Sequence, residues 1–198
     1  MTNASEIRIV VGPDPTELGP DAFRLLSSGR GTLRFTLGDD DIRRRVLEPG
    51  LRWEQVIVAQ RGRRILGFAA FKCRGLGGPY APSLGDFARV HGLSCWWRWL
   101  VFWLVEARDI PAEFYLYSLK IDRRFRGLGV ARMLLDAVSA EARRRGAHHV
   151  ELEVTDKHAK AQALYERYGY ITHHTMRLGA IRRLFGFDKV QTMRLPLN

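Results

Sequence analysis

Apolar and polar residues alternate along this chain with two different periods, and each change of period marks a predicted element. Ile7-Arg8-Ile9-Val10-Val11 reads as a first strand, broken by Gly12-Pro13-Asp14-Pro15. Helices are predicted near 20–28 and 39–48. Asp39-Asp40-Asp41 puts negative charge where the second of these begins, and Pro49-Gly50 closes it. Glu54 to Gln60 and Ile65 to Lys72 are β-rich and separated by Arg61-Gly62-Arg63-Arg64, which predicts a hairpin. Glu113 to Ile121 is a further strand. The clearest helix covers 128–145, with Val130, Met133, Leu134, Ala137, Val138 and Ala142 on one stripe. Arg143-Arg144-Arg145 complement its C-terminal dipole and Gly146 stops it.

Val150, Leu152 and Val154 alternate with Glu151 and Glu153, the pattern of a strand with one buried face. A helix over 157–168 ends at Gly169. Strand, helix, strand, helix predicts a parallel pair joined by a right-handed crossover. Tyr170 to Leu178 and Val190 to Leu197 complete the chain as strands able to pair with each other, with Arg182-Arg183-Leu184-Phe185-Gly186-Phe187 in the connection. No repeat, linker or low-complexity tract divides the chain, so 1–198 is expected to be a single domain.

The candidate chemistry starts at Arg124-Phe125-Arg126-Gly127-Leu128-Gly129-Val130-Ala131, between a strand and the clearest helix. Two glycines one residue apart let the main chain approach a ligand without Cβ hindrance. The free amides and dipole of the helix start favour phosphate oxygens. Arg124 and Arg126 add positive charge. Such strings also make ordinary turns before helices. Arg132 stands where a dinucleotide-binding fingerprint needs glycine, and no Gly-Lys-Ser/Thr follows for a P-loop, so a phosphate-bearing ligand of another kind is required.

The helix over 157–168 carries Ala161, Leu164, Tyr165 and Tyr168 at spacings of three and four, a core stripe on the plain reading. A parallel pair brings the helices that follow its strands to one sheet edge, so Tyr165 is also a candidate for chemistry beside the glycine loop.

Here the sequence resembles the GNAT superfamily of N-acetyltransferases. Its Arg/Gln-x-x-Gly-x-Gly/Ala loop is met by Arg124, Gly127 and Gly129. Its Asn-x-x-Ala-x-x-Leu-Tyr-x-x-x-Gly-Phe segment is met by Ala161, Leu164, Tyr165 and Gly169, with Tyr170 in the aromatic place and His158 where Asn is usual. The resemblance covers 113–170 closely. It implies a mixed, mostly antiparallel sheet with a central parallel pair flanked by helices. It also implies acetyl-CoA, or another acyl-CoA, as co-substrate and an amine, small molecule or protein, as acceptor. The diphosphate would lie on Arg124, Arg126, Gly127, Leu128, Gly129, Val130 and Ala131, with His158 and Ala161 at the start of the second helix. The pantetheine would run like an extra strand along Leu119, Lys120 and Ile121, where the neighbouring strand should splay as at a bulge. Tyr165 is the implied general acid. Glu113 matches the place where some histone-acetylating members keep a catalytic Glu. A carboxylate near an apolar floor would be raised in pKa and act as base, whereas a strand-edge Glu would merely blunt edge pairing. Glu151, Glu153 and Asp122 are further candidates. A non-catalytic CoA-binding or interaction module is the competing function.

Composition adds less. The net charge of +11 comes from Arg far more than Lys and is spread along the chain. A general Arg bias explains it as well as an anionic partner does, and no recognition helix or stacking platform points to nucleic acid. The N-terminus has no basic stretch followed by an apolar one, and Cys73 and Cys95 lack disulfide-framework or zinc spacing, so a cytoplasmic protein without a metal is expected.

Gly75 to Ala112 forms an insertion of different composition, in which Ser94 to Val105 holds four of the five Trp and reads as a helix capped by Ser94. Its apolar stretch falls well short of the roughly 20 residues that span a bilayer. A lid, a contact with a second copy and an interfacial membrane anchor are the three readings, with burial against its own domain or a second subunit favoured.

Overall fold

A computed structural model describes residues 6–19, 22–27, 34–106, 112–179 and 186–197. Its strands are β1 (Arg8–Val11), β2 (Val56–Arg61), β3 (Arg64–Cys73), β4 (Phe114–Ile121), β5 (His149–Thr155), β6 (Ile171–Arg177) and β7 (Lys189–Pro196). They form one sheet in the order β1-β2-β3-β4-β5-β7-β6, antiparallel throughout except for β4 and β5. The expected mixed sheet with its central parallel pair is present.

Helices cover both faces. On one lie α6 (Val130–Arg144) and α7 (Ala159–Tyr168). Leu134, Leu135, Val138 and Ala142 of α6 share a core with Ile57, Phe71, Phe114, Leu152 and Tyr165. The Tyr168 hydroxyl donates to Asp136 on α6 at 2.7 Å, tying the two helices together. On the other face lie α1 (Ala22–Ser27), α2 (Arg34–Leu37), α3 (Asp40–Leu47), α4 (Leu84–His91) and α5 (Cys95–Glu106). There Leu26, Leu47, Phe87 and Phe102 pack on Val56, Val58, Phe68 and Ala70. Val56 and Val58 point one way and Ile57 and Ala59 the other, the period of two that a sheet buried on both faces requires.

Several boundaries move. The hairpin turn shrinks to Gly62 and Arg63, with Gly62 at φ +58°, because β2 runs to Arg61 and β3 starts at Arg64. Glu54 lies in a tight turn, Trp53–Gln55, before β2. The Asp39 side chain accepts from the Ile42 N–H at 3.1 Å and starts α3. The predicted arginine run at the end of α6 does more than answer a dipole. Arg144 and Arg145 both hold the buried Glu141 carboxylate at 2.6 Å.

The insertion contains α4 as well as the predicted α5. Ser83 and Asp86 begin α4 with a reciprocal capping box. Ser94 does not cap α5. It sits in the turn Gly92–Ser94, where its hydroxyl donates to the His91 carbonyl and accepts from Arg98 Nε. Residues 107–111 of the insertion and Arg182 to Phe185 of the last connection lie outside the described residues. No helix among the described residues is long and apolar enough to cross a membrane.

Candidate functional site

The parallel strands β4 and β5 meet in one register pair, Tyr115 with Glu151. Beyond it the strands part. Leu119, Lys120 and Ile121 still pair with Ala69, Phe68 and Gly67 of β3 on the far side, so their β5 side is the open one. A bulge accompanies the parting. Phe71 faces Leu116 and Ala70 faces Ser118, which leaves Tyr117 as an extra residue. Burial shows the same shift. Phe114 and Leu116 join the α6–α7 core, Tyr117 joins the opposite core, and Leu119 and Ile121 return to the first, a step of three where an unbroken strand would step by two. The bulge at Tyr117 thus lies just before Leu119, Lys120 and Ile121, where the strand was expected to splay.

At the open end of β4 the chain turns through Arg123–Phe125 and reaches the glycine pair. Gly127 and Gly129 stand at φ +82° and +76°, left-handed backbone that other residues rarely adopt. A Cβ at either would meet nothing within 4 Å, so the space beside both glycines is open. Among the described residues, nothing accepts from the main-chain N–H groups of Gly127, Leu128, Gly129 or Val130. Gly129 caps α6, and these donors gather at the positive end of its dipole. Arg126 is exposed beside them. Arg124 is not aimed into the loop. Its guanidinium turns back onto Asp122 at 2.6 Å and holds that carboxyl down to about 2. Lys120 is half-buried near Asp40, Arg43, Arg123 and Arg126, and burial lowers its pKa.

Tyr165, on α7, packs in the α6–α7 core near Tyr115 of β4. It is buried, burial pushes its phenol up to about 12, and among the described residues its hydroxyl has no hydrogen bond. The Tyr170 hydroxyl also lacks a partner, but it is sealed from solvent, whereas that of Tyr165 is not. Tyr115, from β4, lies close enough to Tyr165 and Glu153 for their charges to bear on its phenol, which burial raises further. Glu153 itself is exposed on β5. Tyr115 and Glu153 were not singled out together by the sequence, because only the parallel pairing of β4 with β5 brings them side by side.

Glu113 departs from expectation. It precedes β4, at the end away from the glycine loop, and accepts from the His148 main-chain N–H at 2.8 Å, with the His148 ring nitrogen 3.2 Å away. That amide bond holds its pKa below the usual carboxylate value, where an apolar floor would have raised it. Glu151 is buried and engaged by Arg194 at 2.6 Å and His149 at 3.0 Å. His158 occupies the cap position of α7 without a side-chain cap bond, and Ala161 packs against the core.

The family model for the GNAT acetyltransferases matches residues 32–170, well over half of the chain. The chain belongs to the GNAT acetyltransferase family. Members of this family use acetyl-CoA. A GNAT family acetyltransferase from Elizabethkingia anophelis, solved with acetyl-CoA bound, superposes with a TM-score of 0.57 at 11% identity, covering 98% of this chain and 99% of its own. The ribosomal-protein-S18-alanine N-acetyltransferase from Escherichia coli gives 0.54 at 17% identity, over 98% of this chain and 95% of its own. Identities this low establish the shared fold. A nourseothricin acetyltransferase matches 72% of this chain at 20% identity with a TM-score of 0.47, and the chain spans 65% of that protein's length. No curated protein matches in sequence. The residues of this GNAT chain fit an acyl-CoA: four N–H groups with no acceptor among the described residues, the open space at Gly127 and Gly129 and the exposed Arg126 suit a diphosphate, and the open edge of β4 suits an extended arm.

Proposed function

We propose that this GNAT protein transfers acetyl from acetyl-CoA to a primary amine by direct attack. The observation that carries the reading is the parting of β4 from β5 beyond Tyr115 and Glu151, beside a loop of four N–H groups with no acceptor among the described residues. In it, Gly127 to Val130 bind the diphosphate and the free edge of Leu119, Lys120 and Ile121 bonds the pantetheine amides. A main-chain N–H of that edge polarises the thioester carbonyl and stabilises the oxyanion formed by attack. Acetyl-CoA supplies the activated acyl group.

Tyr165 protonates the departing thiolate. Its raised pKa keeps the proton in place at neutral pH, and the same burial would raise a thiol beside it, which offsets part of the gap between the shifted phenol and a solution thiol of about 8.5. The amine must also lose a proton. Glu113 is held by His148, Glu151 by Arg194, and Asp122 by Arg124, which leaves Glu153, exposed and beside Tyr115, as the carboxylate we assign to that step. The unpaired thiols Cys73 and Cys95 fit a reducing compartment, and the cytoplasm is the proposed location.

The test is thiol release from acetyl-CoA across a panel of small amines and peptide α- and ε-amines, with mass spectrometry of the products. Amine-dependent release with an acetylated product supports the reading. Saturable binding of acetyl-CoA with no turnover on any amine would replace it with a CoA-binding module.

A further inference from the structure

The helix that holds most of the Trp residues shows two different apolar faces. Cys95, Trp99 and Phe102 pack inward against the α1–α4 core, and the Trp99 indole donates to the Pro82 carbonyl. A flanking face, with the turn before it, carries Leu93, Trp96, Leu100, Trp103 and Leu104, each with 42% to 98% of its surface left to solvent. The spacing of three and four makes one ridge. It bears no charged side chain: Arg98, the charge inside the helix, bonds the Thr36 carbonyl at 3.0 Å and lies over the Trp97 ring.

We propose that this ridge is a homodimer interface, in which α5 packs antiparallel on α5 of a second copy about a two-fold axis at Leu100. Two observations select that occupant. From the exposed fractions, the ridge leaves on the order of 600 Å² of apolar surface in water, as large as the biggest patch on an ordinary monomer. Ridge on ridge can therefore cover at most about 1,200 Å² in total, the lower end of a specific interface. The second observation is self-complementarity. An antiparallel copy centred on Leu100 sets Trp96 against Leu104 of the other chain and Leu104 against its Trp96, the reciprocal pairing a two-fold contact requires, with Trp103 meeting Trp97 at its flank.

The charges nearby argue against a lipid surface. Arg89 on α4 is paired with Asp86 at 2.9 Å, and α3 opens with the acidic run Asp39, Asp40, Asp41 just past the segment that Arg98 touches. A bilayer-docking helix instead carries a rim of free basic residues. Each copy has a net charge of +11, so the apolar contact forms against long-range repulsion. Salt shortens that repulsion, from a screening length of about 10 Å at 0.1 M to about 3 Å at 1 M. Association should therefore tighten as salt rises.

Sedimentation equilibrium of the full chain at low and high salt tests this, together with Leu100→Glu, Leu100→Cys and flotation on vesicles containing phosphatidylserine. The expected result is a dimer that tightens about threefold or more between roughly 0.05 and 0.5 M salt. Leu100→Glu should be a monomer with the unfolding temperature of the parent monomer, since its side chain faces solvent there. Mild oxidation should link Leu100→Cys into a covalent dimer and leave the parent unlinked. A monomer under all conditions, a dimer that survives Leu100→Glu, or a monomer that floats with the vesicles would each overturn the proposal. These readouts are of association, so they stand or fall apart from acetyl transfer.

Discussion

Tyr115 and Glu151 are the one register pair that joins the parallel strands, past which the β5 side of β4 stands open, and Glu153 and Tyr165 both lie near Tyr115. A tertiary hydrogen-bond ladder that stops after one pair leaves main-chain groups without partners, and such groups are costly unless water or a ligand satisfies them.

The first consequence concerns Tyr165. Tyr165→Phe removes one hydroxyl, has no described hydrogen bond to break and keeps the ring that packs in the core. Turnover should fall by about 10²-fold or more, with the acetyl-CoA dissociation constant within about twofold of the parent. A rate loss under about threefold would assign the ring to packing alone.

Gly129 and Gly146 offer a matched comparison, because both sit at φ +76° at opposite ends of α6, and a Cβ at either meets nothing within 4 Å. Gly129→Ala and Gly146→Ala should lose similar stability, about 1–2 kcal/mol of left-handed strain. Titration calorimetry should show acetyl-CoA affinity weakened about tenfold or more in the first alone, where the methyl occupies ligand space. Equal affinities in the two variants would remove the loop from binding.

The two carboxylates should separate in a pH–rate profile of kcat/KM. Glu153→Gln is expected to lower the rate at least about tenfold and to alter the acidic limb. Glu113→Gln should leave that limb in place and instead loosen the turn that His148 anchors, seen as faster amide exchange at His148. The reverse pattern would return Glu113 to the chemistry.

Stability should depend on pH through Glu141. Its carboxyl is buried, and Arg144, then Arg145, hold its pKa below the ordinary 4.5. A depressed folded-state value means the stabilisation is present above about pH 4.5 and is lost as pH falls through the lower, folded value. Thermal melts should therefore drop steeply on acidification below that point, and Glu141→Gln should be less stable at neutral pH with a shallower acid dependence. An unchanged slope in the variant would place the acid sensitivity elsewhere.

The elements most legible in the sequence were those fixed by local patterns: the stripe of α6, its Gly146 stop, the alternation of Val150, Leu152 and Val154, and the glycine loop. The short α2 and α4 were not foreseen. Four residues in α2 give no period, and Ser83 with Asp86 announces α4 only once Leu84 to His91 is known to be a helix. The splay near Leu119, Lys120 and Ile121 was expected, but the bulge at Tyr117 that precedes it was not, because pairing register is a property of two strands. Glu113 was read from its match to a catalytic Glu of some family members, counted back from the glycine loop, but its pKa follows from the His148 amide, which arrives from a distant turn. The Trp-rich helix looked uniformly apolar. Only packing against Phe87 and Pro82 divides it into a core face and an exposed ridge.

The measurement that bears most directly on the central claim is calorimetric titration of the protein with acetyl-CoA, repeated with the desulfo analogue and with adenosine monophosphate. The account predicts saturable binding of one molecule per chain, retained by the analogue that keeps the diphosphate and pantetheine and largely lost with the mononucleotide. Absence of binding to acetyl-CoA, or equal binding of the mononucleotide, would contradict it.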